Sequence, residues 1–152
     1  MATIPKTTVA ELKHLQSVCW QNSEDKGFHD SEPTDPEELA IYNGNRLMLI
    51  VSEVAEAHEE IRKGHPANHT YYPEPALPSS LVAEVGVERA RELIARDNLG
   101  KIRKPEGVPS ELADIVIRCF DFAESNGFDL GQIIQVKLAY NTSREHMHGK
   151  KF

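Results

Sequence analysis

Signals for α-helices recur along the whole chain, and no segment of useful length alternates apolar and polar residues as a β-strand does. Residues that begin or end helices bound each helical stretch. Residues 64–80 hold four prolines and no periodicity, which predicts a loop. We therefore predict an all-α fold, a four-helix-bundle-like arrangement of four principal helices with one additional short or inserted helix.

The helix boundaries are predicted from caps and from two glycines. Thr8, with a glutamate three residues later, has the form of a capping box, and Asp35 precedes a proline at the first helical position. Gly64 and Gly127 are expected to end helices. The other predicted caps are Ser79 or Ser80, Ser110 and Asp129. The predicted helices span 8–22, 36–63, 80–97, 110–126 and 130–145. The second of them has a possible interruption at 43–45.

The length and charge of the chain narrow its class. At 152 residues it is expected to form a single domain, 1–152. A net charge of -7 gives no basic surface for a nucleic acid polymer or for anionic lipid. An acidic protein that handles phosphates needs metal ions to offset the repulsion.

Cysteine usage and hydropathy predict a cytoplasmic protein. Cys19 and Cys119 fall within apolar helical patterns, which favours free buried thiols in a reducing compartment. The N-terminus lacks the basic and apolar regions of a signal peptide. The longest apolar run, residues 47–51, is far too short to span a bilayer, so no membrane association is expected.

Two helices each carry a pair of carboxylates three residues apart. Glu53 and Glu56 form one pair, and Glu111 and Asp114 form the other. This spacing puts both members of a pair on one helix face, about one turn apart. Two such pairs facing each other supply the oxygen ligands that Mg²⁺ prefers.

A solvated helix face is the commoner fate of such pairs, and on spacing alone it is the favoured interpretation. Residues 47–51 weaken it, because they are apolar all round the helix and Leu49 points the same way as the first pair. Arg118 favours it, since a cation there can neutralise Asp114 and Asp121.

The last predicted helix carries positive charge. Lys137, Asn141, Arg144 and His148 recur at three- and four-residue steps, and Lys150 follows shortly after. Such a stripe can hold a polyphosphate by charge-assisted hydrogen bonds. The alternative is that these cations only complement the helix dipole.

With these residues in view, the chain resembles the MazG-like family of all-α nucleoside triphosphate pyrophosphohydrolases. The resemblance covers most of the chain and is carried by DKGFHD (25–30), RLMLIVSEVAEAHEEIRKG (46–64), KPEGVPSELADIVIRCFDFAESNGFDL (104–130) and KLAYNTSREHMHGKKF (137–152). The family pattern is Glu-Glu-x-x-Glu followed, after a spacer, by Glu-x-x-Asp. Here Ser52 replaces the first Glu, and residues 65–103 form a probable insertion.

The resemblance implies a fold and an activity. Mg²⁺, or Mn²⁺ in its place, is expected among Glu53, Glu56, Glu111 and Asp114, where it binds phosphate oxygens and activates water. The expected products are a nucleoside monophosphate and pyrophosphate. The resemblance also implies a homodimer or homotetramer with sites near subunit interfaces. The residues expected to hold the triphosphate are Lys137, Asn141, Arg144 and Lys150.

Trp20 is a candidate to stack on a nucleobase, although a lone Trp on a helix is more often a core residue. His65 and His69 lie in the proline-rich loop, where exposed loop residues are the simpler interpretation.

Two other functions compete with the pyrophosphohydrolase. One is a di-iron carboxylate bundle, suggested by the Glu-x-x-His spacings 11–14 and 145–148, although these lie on the first and last helices. The other is a helical interaction module that has kept the fold without turnover.

Overall fold

The computed structural model describes residues 5–144, which contain six α-helices and no β-strand beyond one isolated antiparallel bridge between Tyr71 and Glu106. The all-α class is therefore confirmed. No helix in this part of the chain has both the length and the apolar character needed to cross a membrane. The helices are α1 (Lys6–Glu24), α2 (Pro36–Arg62), α3 (Ser79–Val85), α4 (Val87–Asp97), α5 (Val108–Ser125) and α6 (Leu130–Ser143).

Two of the predicted caps act as expected. The Asp35 carboxylate accepts hydrogen bonds from the backbone N–H groups of Glu37 and Glu38, at 3.0 and 3.1 Å. The Asp129 carboxylate accepts one from the N–H of Gln132 at 2.9 Å. Gly64 follows α2 with a left-handed φ of 85°, and no break occurs at residues 43–45.

Three other boundaries were predicted wrongly. Helix α1 begins two residues before Thr8, directly after Pro5, and no side chain caps it. Helix α5 begins two residues before Ser110, whose hydroxyl instead donates to the carbonyl of Pro105 at 2.9 Å. The single helix predicted over 80–97 is two helices, because Gly86 adopts a φ of 79° between them.

The first of two compact units runs to Ala55 and resumes at Ala113. Helix α1 packs against α6, and Gly131 permits the close approach, since a Cβ there would lie 3.0 Å from Cβ of Leu12. The fully buried Gln16 side chain donates to the Glu124 carboxylate and to the Phe128 carbonyl, at 2.6 and 2.8 Å. These bonds tie α1 to the end of α5 and to the turn that follows it. The buried apolar residues of this unit are Cys19, Phe120 and Ala123.

The second unit comprises residues 56–112 and includes the segment expected to be an insertion. Helix α3 packs against α4. Arg103 donates hydrogen bonds to the carbonyls of Tyr72 and Pro73, which anchors the proline-rich loop. The buried apolar residues here are Ala57, Ala90 and Val108.

Both cysteines are free thiols, as predicted. Cys19 is buried and Cys119 is half-buried. Burial raises the pKa of both thiols, and the charge of Asp121 raises that of Cys19 further. The thiols are therefore protonated and unreactive at neutral pH.

Candidate metal centre

Two predicted ligands come together in the first unit. Glu53 lies in the middle of α2 and Asp114 in the second turn of α5, and each offers a carboxylate oxygen within 4.8 Å of the other. Glu111 stands one turn before Asp114 on the same continuous helix and offers a third oxygen within that distance of Asp114. We call Glu53, Glu111 and Asp114 the carboxylate group.

The burial of this group contradicts a solvated face. Glu53 is 6% exposed and Glu111 is 2% exposed, whereas charged side chains on a solvated face are open to water. Asp114 is half-buried. Glu56, the fourth predicted ligand, is exposed and is not part of the group.

The donor chemistry of the group fits a hard divalent cation. All three donors are carboxylate oxygens, and the group contains no histidine or cysteine. Around an octahedral ion with bonds of about 2.1 Å, ligand oxygens lie about 2.9 to 4.2 Å apart, which is compatible with the observed upper limit of 4.8 Å. The oxygen-only donor set suits Mg²⁺ or Mn²⁺ better than a di-iron centre with Glu-x-x-His ligands.

Arg118 is one turn beyond Asp114 on α5, and it pairs with Glu53. Its Nε and Nη2 donate to Oε1 of Glu53 at 2.8 and 2.7 Å. The sequence had suggested Asp114 and Asp121 as its partners, and the structure shows no such pair among the described residues. Glu53 lies on another helix, so the spacing of residues around Arg118 in the sequence could not identify it as the partner.

A cavity of about 510 Å³ in the first unit adjoins these residues. Asp114 and Arg118 line it, together with polar amides and two aromatic rings. This mixture of charged, amide and aromatic groups is typical of a small-molecule site. The amides and rings belong to Asn22, Asn45, Phe28 and Tyr42.

A second polar network borders the same cavity, and the sequence analysis did not identify it. The Asp121 carboxylate pairs with Nε2 of His29 at 2.9 Å and accepts a hydrogen bond from Nη2 of Arg46 at 2.8 Å. The Arg46 guanidinium also lies against the rings of Tyr42 and Phe122, at 5.4 to 5.7 Å from their centroids. His29 falls in the DKGFHD segment, which was the only sequence signal for it.

The other predicted substrate residues lie elsewhere on the first unit. Trp20 is half-buried and stacks on His29, with ring centroids 5.8 Å apart. Lys137, Asn141 and Arg144 are exposed and are not among the residues that line the cavity. Helix α6 ends at Ser143, so Arg144 follows it in extended backbone. Lys150 and His148 lie outside the described residues.

Glu60, one turn beyond Glu56 on α2, belongs to a separate network in the second unit. It is 5% exposed, and its carboxylate accepts from Lys63 at 2.7 Å and from Tyr71 at 3.1 Å, while Nδ1 of His65 lies 2.6 Å away. His65 and His69 both pack against the Tyr71 ring. The two histidines therefore help to hold the proline-rich loop against the end of α2.

This network predicts a pH-dependent stability. Hydrogen bonds from Lys63 and then from His65 lower the pKa of Glu60 from 4.5 to about 2. A carboxyl group with a lowered pKa stabilises the fold above its unfolded pKa, and this contribution disappears as the pH falls from 4.5 to about 2. Glu60→Gln should therefore lower the melting temperature most at about pH 6 to 7 and least at about pH 2.

Thermal unfolding of both proteins across this range measures the effect, with the exposed Glu59→Gln as the control. A deficit that stays constant with pH would show that the Glu60 carboxylate does not act through its charge.

The chain matches no protein-family model, no curated protein and no solved structure at the significance that we required.

Proposed function

We propose that this protein is a Mg²⁺-dependent hydrolase that converts nucleoside or deoxynucleoside triphosphates to the monophosphate and pyrophosphate. The observation that carries the proposal is the carboxylate group, whose member Asp114 also lines the 510 Å³ cavity. Buried carboxylates with so little screening are costly unless cations neutralise them. A site that binds a metal ion and a phosphate chain together requires such neutralisation, and the metal ion supplies it.

The residues of the site have separate roles in this proposal. In this proposal Glu53, Glu111 and Asp114 hold the ion, and Glu56, one turn beyond Glu53 on α2, remains a proposed fourth ligand. A bound Mg²⁺ supplies Lewis-acid polarisation of a phosphoryl oxygen and lowers the pKa of water. The choice of pyrophosphate as product rests on the MazG-like resemblance, because ligand spacing does not determine which phosphorus is attacked.

The cavity offers a place for the nucleoside part of the substrate. Its volume of about 510 Å³ lies within the range for small-ligand sites. Phe28 and Tyr42 present apolar ring surface, and Asn22 and Asn45 present amides that can pair with a base or a sugar. Trp20 stacks on His29, which lines this cavity, and it remains the proposed residue for stacking on the base.

The cationic residues Lys137, Arg144 and Lys150, together with the amide of Asn141, remain proposed contacts for the triphosphate. Arg144→Ala removes one charge-assisted hydrogen bond, for which about 1.5–3 kcal/mol is typical. We expect a loss in kcat/KM of about ten- to hundredfold with little change in melting temperature, and partial recovery in Arg144→Lys. A variant that melts early but retains normal turnover per folded molecule would assign this stripe a structural role.

Exposed apolar residues support a homodimer or homotetramer. In the first unit, Leu47, Met48, Leu49 and Val51 are each about half exposed or more, although they lie within about one and a half turns of one helix. A monomer rarely leaves so many large apolar side chains open to water at one place. Light scattering gives the molar mass in solution and decides between the monomer and the two assemblies.

A pyrophosphate-release assay with a panel of NTPs and dNTPs tests the proposed function directly. The expected result is release of pyrophosphate and a monophosphate that depends on Mg²⁺. Release of orthophosphate by a phosphatase-free sample would contradict the reaction type. No turnover of any nucleotide would favour the helical interaction module.

A further inference from the structure

We propose that Arg118 binds the phosphate chain of the substrate in the cavity that it lines. The inference rests on the proposed function and adds a phosphate contact on α5 to Lys137 and Arg144, which do not line the cavity. Arg118, its partner Glu53 and every residue that lines the cavity belong to the first unit.

The Arg118 guanidinium is only partly engaged by its partner. Its Nε donates to Oε1 of Glu53 at 2.8 Å, and its Nη2 lies 2.7 Å from the same oxygen. A guanidinium has five N–H donors, and this contact uses the edge formed by Nε and Nη2. The edge formed by Nη1 and the second N–H of Nη2 has no hydrogen bond to any described residue. Such an edge matches two oxygens of a phosphoryl group.

The two members of this ion pair differ in their exposure. The Arg118 side chain is 41% exposed, whereas the Glu53 side chain is 8% exposed. Arg118 lines the cavity, and Glu53 is not among the described residues that do so. Glu53 therefore holds the guanidinium from the buried side and leaves the rest of it open to a ligand. A side chain that is already held in one position loses less entropy when a ligand binds.

Arg46 is the other arginine among the described residues that line the cavity, and it offers no comparable edge. Its Nη2 donates to Asp121 at 2.8 Å and to Ser125 at 3.1 Å. Its Nη1 has no hydrogen-bond partner among the described residues, but this nitrogen is buried from solvent. The open guanidinium edge at this cavity is therefore that of Arg118.

Aromatic rings lie at the Arg46 end of the cavity. Tyr42 is one turn before Arg46 on α2, and its ring centroid is 5.7 Å from the guanidinium carbon. The Tyr42 hydroxyl donates to the carbonyl of Phe28, which also lines the cavity, at 3.2 Å. A base that packs on these rings is therefore held beside Arg46.

Arg118 extends toward the other end, where the proposed metal ligands lie. Its partner Glu53 is two turns beyond Arg46 on α2, about 10 Å along the helix. A carboxylate oxygen of Glu53 and one of Asp114 lie within 4.8 Å of each other, and Asp114 lines the cavity. A nucleotide with its base on the rings therefore directs its phosphates toward Asp114 and Arg118.

Arg118 and a bound metal ion would act on the phosphate chain together. The carboxylates at this end of the cavity repel a phosphate, and a divalent ion at the proposed site offsets that repulsion. The Arg118 guanidinium then donates hydrogen bonds to a phosphoryl group and stabilises its negative charge. We therefore expect Arg118 to contribute most when the metal is present.

Calorimetric titration of the full-length protein with inorganic triphosphate in excess Mg²⁺ tests the proposal, because this probe carries no base. Arg118→Gln should bind inorganic triphosphate about ten- to hundredfold more weakly than the wild type, the loss typical of a hydrogen bond to a charged group. Arg118→Lys should recover only part of the affinity, because an ammonium keeps the charge but cannot form the fork. Thermal unfolding checks that both variants fold. If Arg118→Gln does not fold, the comparison of Arg118→Lys with the wild type decides.

Arg62→Gln is the matched control, since it removes an exposed arginine that pairs with Glu59 on α2 and changes the net charge equally. It should bind inorganic triphosphate as the wild type does. A purely structural Arg118 would act through Glu53, so Arg118→Gln would weaken the binding of Mn²⁺ alone, and excess metal would restore triphosphate binding. We expect instead that Mn²⁺ affinity does not fall and that the loss persists at saturating Mg²⁺.

Failure of the inference and failure of the proposed function give different results. Inorganic triphosphate bound equally by the wild type and the Arg118 variants, or bound by none of them, would overturn the role of Arg118. Binding that Arg118→Gln weakens, without pyrophosphate release from any nucleotide, would support Arg118 as a phosphate contact and overturn the proposed reaction.

Discussion

Asp114→Asn is expected to lower kcat/KM for nucleoside triphosphates by about a thousandfold, which corresponds to roughly 4 kcal/mol of transition-state stabilisation. Asp114 is the member of the carboxylate group that also lines the cavity, so it stands between the proposed ion and the proposed substrate. The amide keeps the shape of the side chain but loses the charge that is proposed to hold the ion. Excess EDTA should abolish turnover of the wild type for the same reason.

The fold should survive this change, because Asp114 is only half-buried and sits among like charges. Removing one negative charge there should leave the melting temperature unchanged or slightly higher in the absence of metal. Glu53→Gln should lose turnover as completely, although it also breaks the pair with Arg118 and is the less clean test.

Glu59→Gln is the matched control, since Glu59 lies on α2 but is exposed and pairs with Arg62. It should retain full activity. Near-normal rates in Asp114→Asn, or turnover that continues in EDTA, would show that these carboxylates are not the metal ligands.

Gly107→Ala is expected to lower the free energy of unfolding by about 3–5 kcal/mol. Gly107 has a left-handed φ of 106°, and a Cβ there would lie 2.3 Å from the carbonyl oxygen of His69. A side chain is therefore opposed by both the backbone conformation of Gly107 and the backbone of His69 and Thr70. The adjacent bridge between Tyr71 and Glu106, with N–O distances of 3.1 and 2.9 Å, must open to make room.

Gly100→Ala separates the two causes. Gly100 lies in the same unit with a φ of 77°, but a Cβ there meets no atom within 4 Å. It should cost only about 1 kcal/mol, the cost of the backbone conformation alone. Urea unfolding of the two variants measures the difference, and equal losses would mean that the contact with His69 relaxes at little cost.

Gly107 also connects stability to the site. Its carbonyl accepts hydrogen bonds from the N–H groups of Ser110 and Glu111 at 2.9 and 3.3 Å, so it fixes the first turn of α5. If Glu111 is a ligand of the proposed metal site, Gly107→Ala should therefore weaken Mn²⁺ binding even in the fraction that stays folded.

The observed helix ends show which boundaries can be predicted from the local sequence. Asp35 and Asp129 were predicted as caps correctly, because an aspartate followed by a helix can satisfy the first free N–H groups with its own side chain. Thr8 and Ser110 have similar sequence signals, but the prediction that they cap helices was wrong. In both cases a residue further upstream, Pro5 or Gly107, supplies a backbone carbonyl that starts the helix earlier.

The sequence by itself determined the all-α class, the two carboxylate pairs and the spacing that sets each pair on one helix face, since helix periodicity and capping are local properties. Only the tertiary structure decided which carboxylates are buried, that Glu60 serves another network, and that Arg118 turns to Glu53 and Arg46 to Asp121. The ion pairs of Arg118 and Arg46 each join two helices, and the Glu60 network joins α2 to the loop that follows it. Ion pairing across such distances in the chain depends on how the helices pack, and local spacing carries no information about that packing.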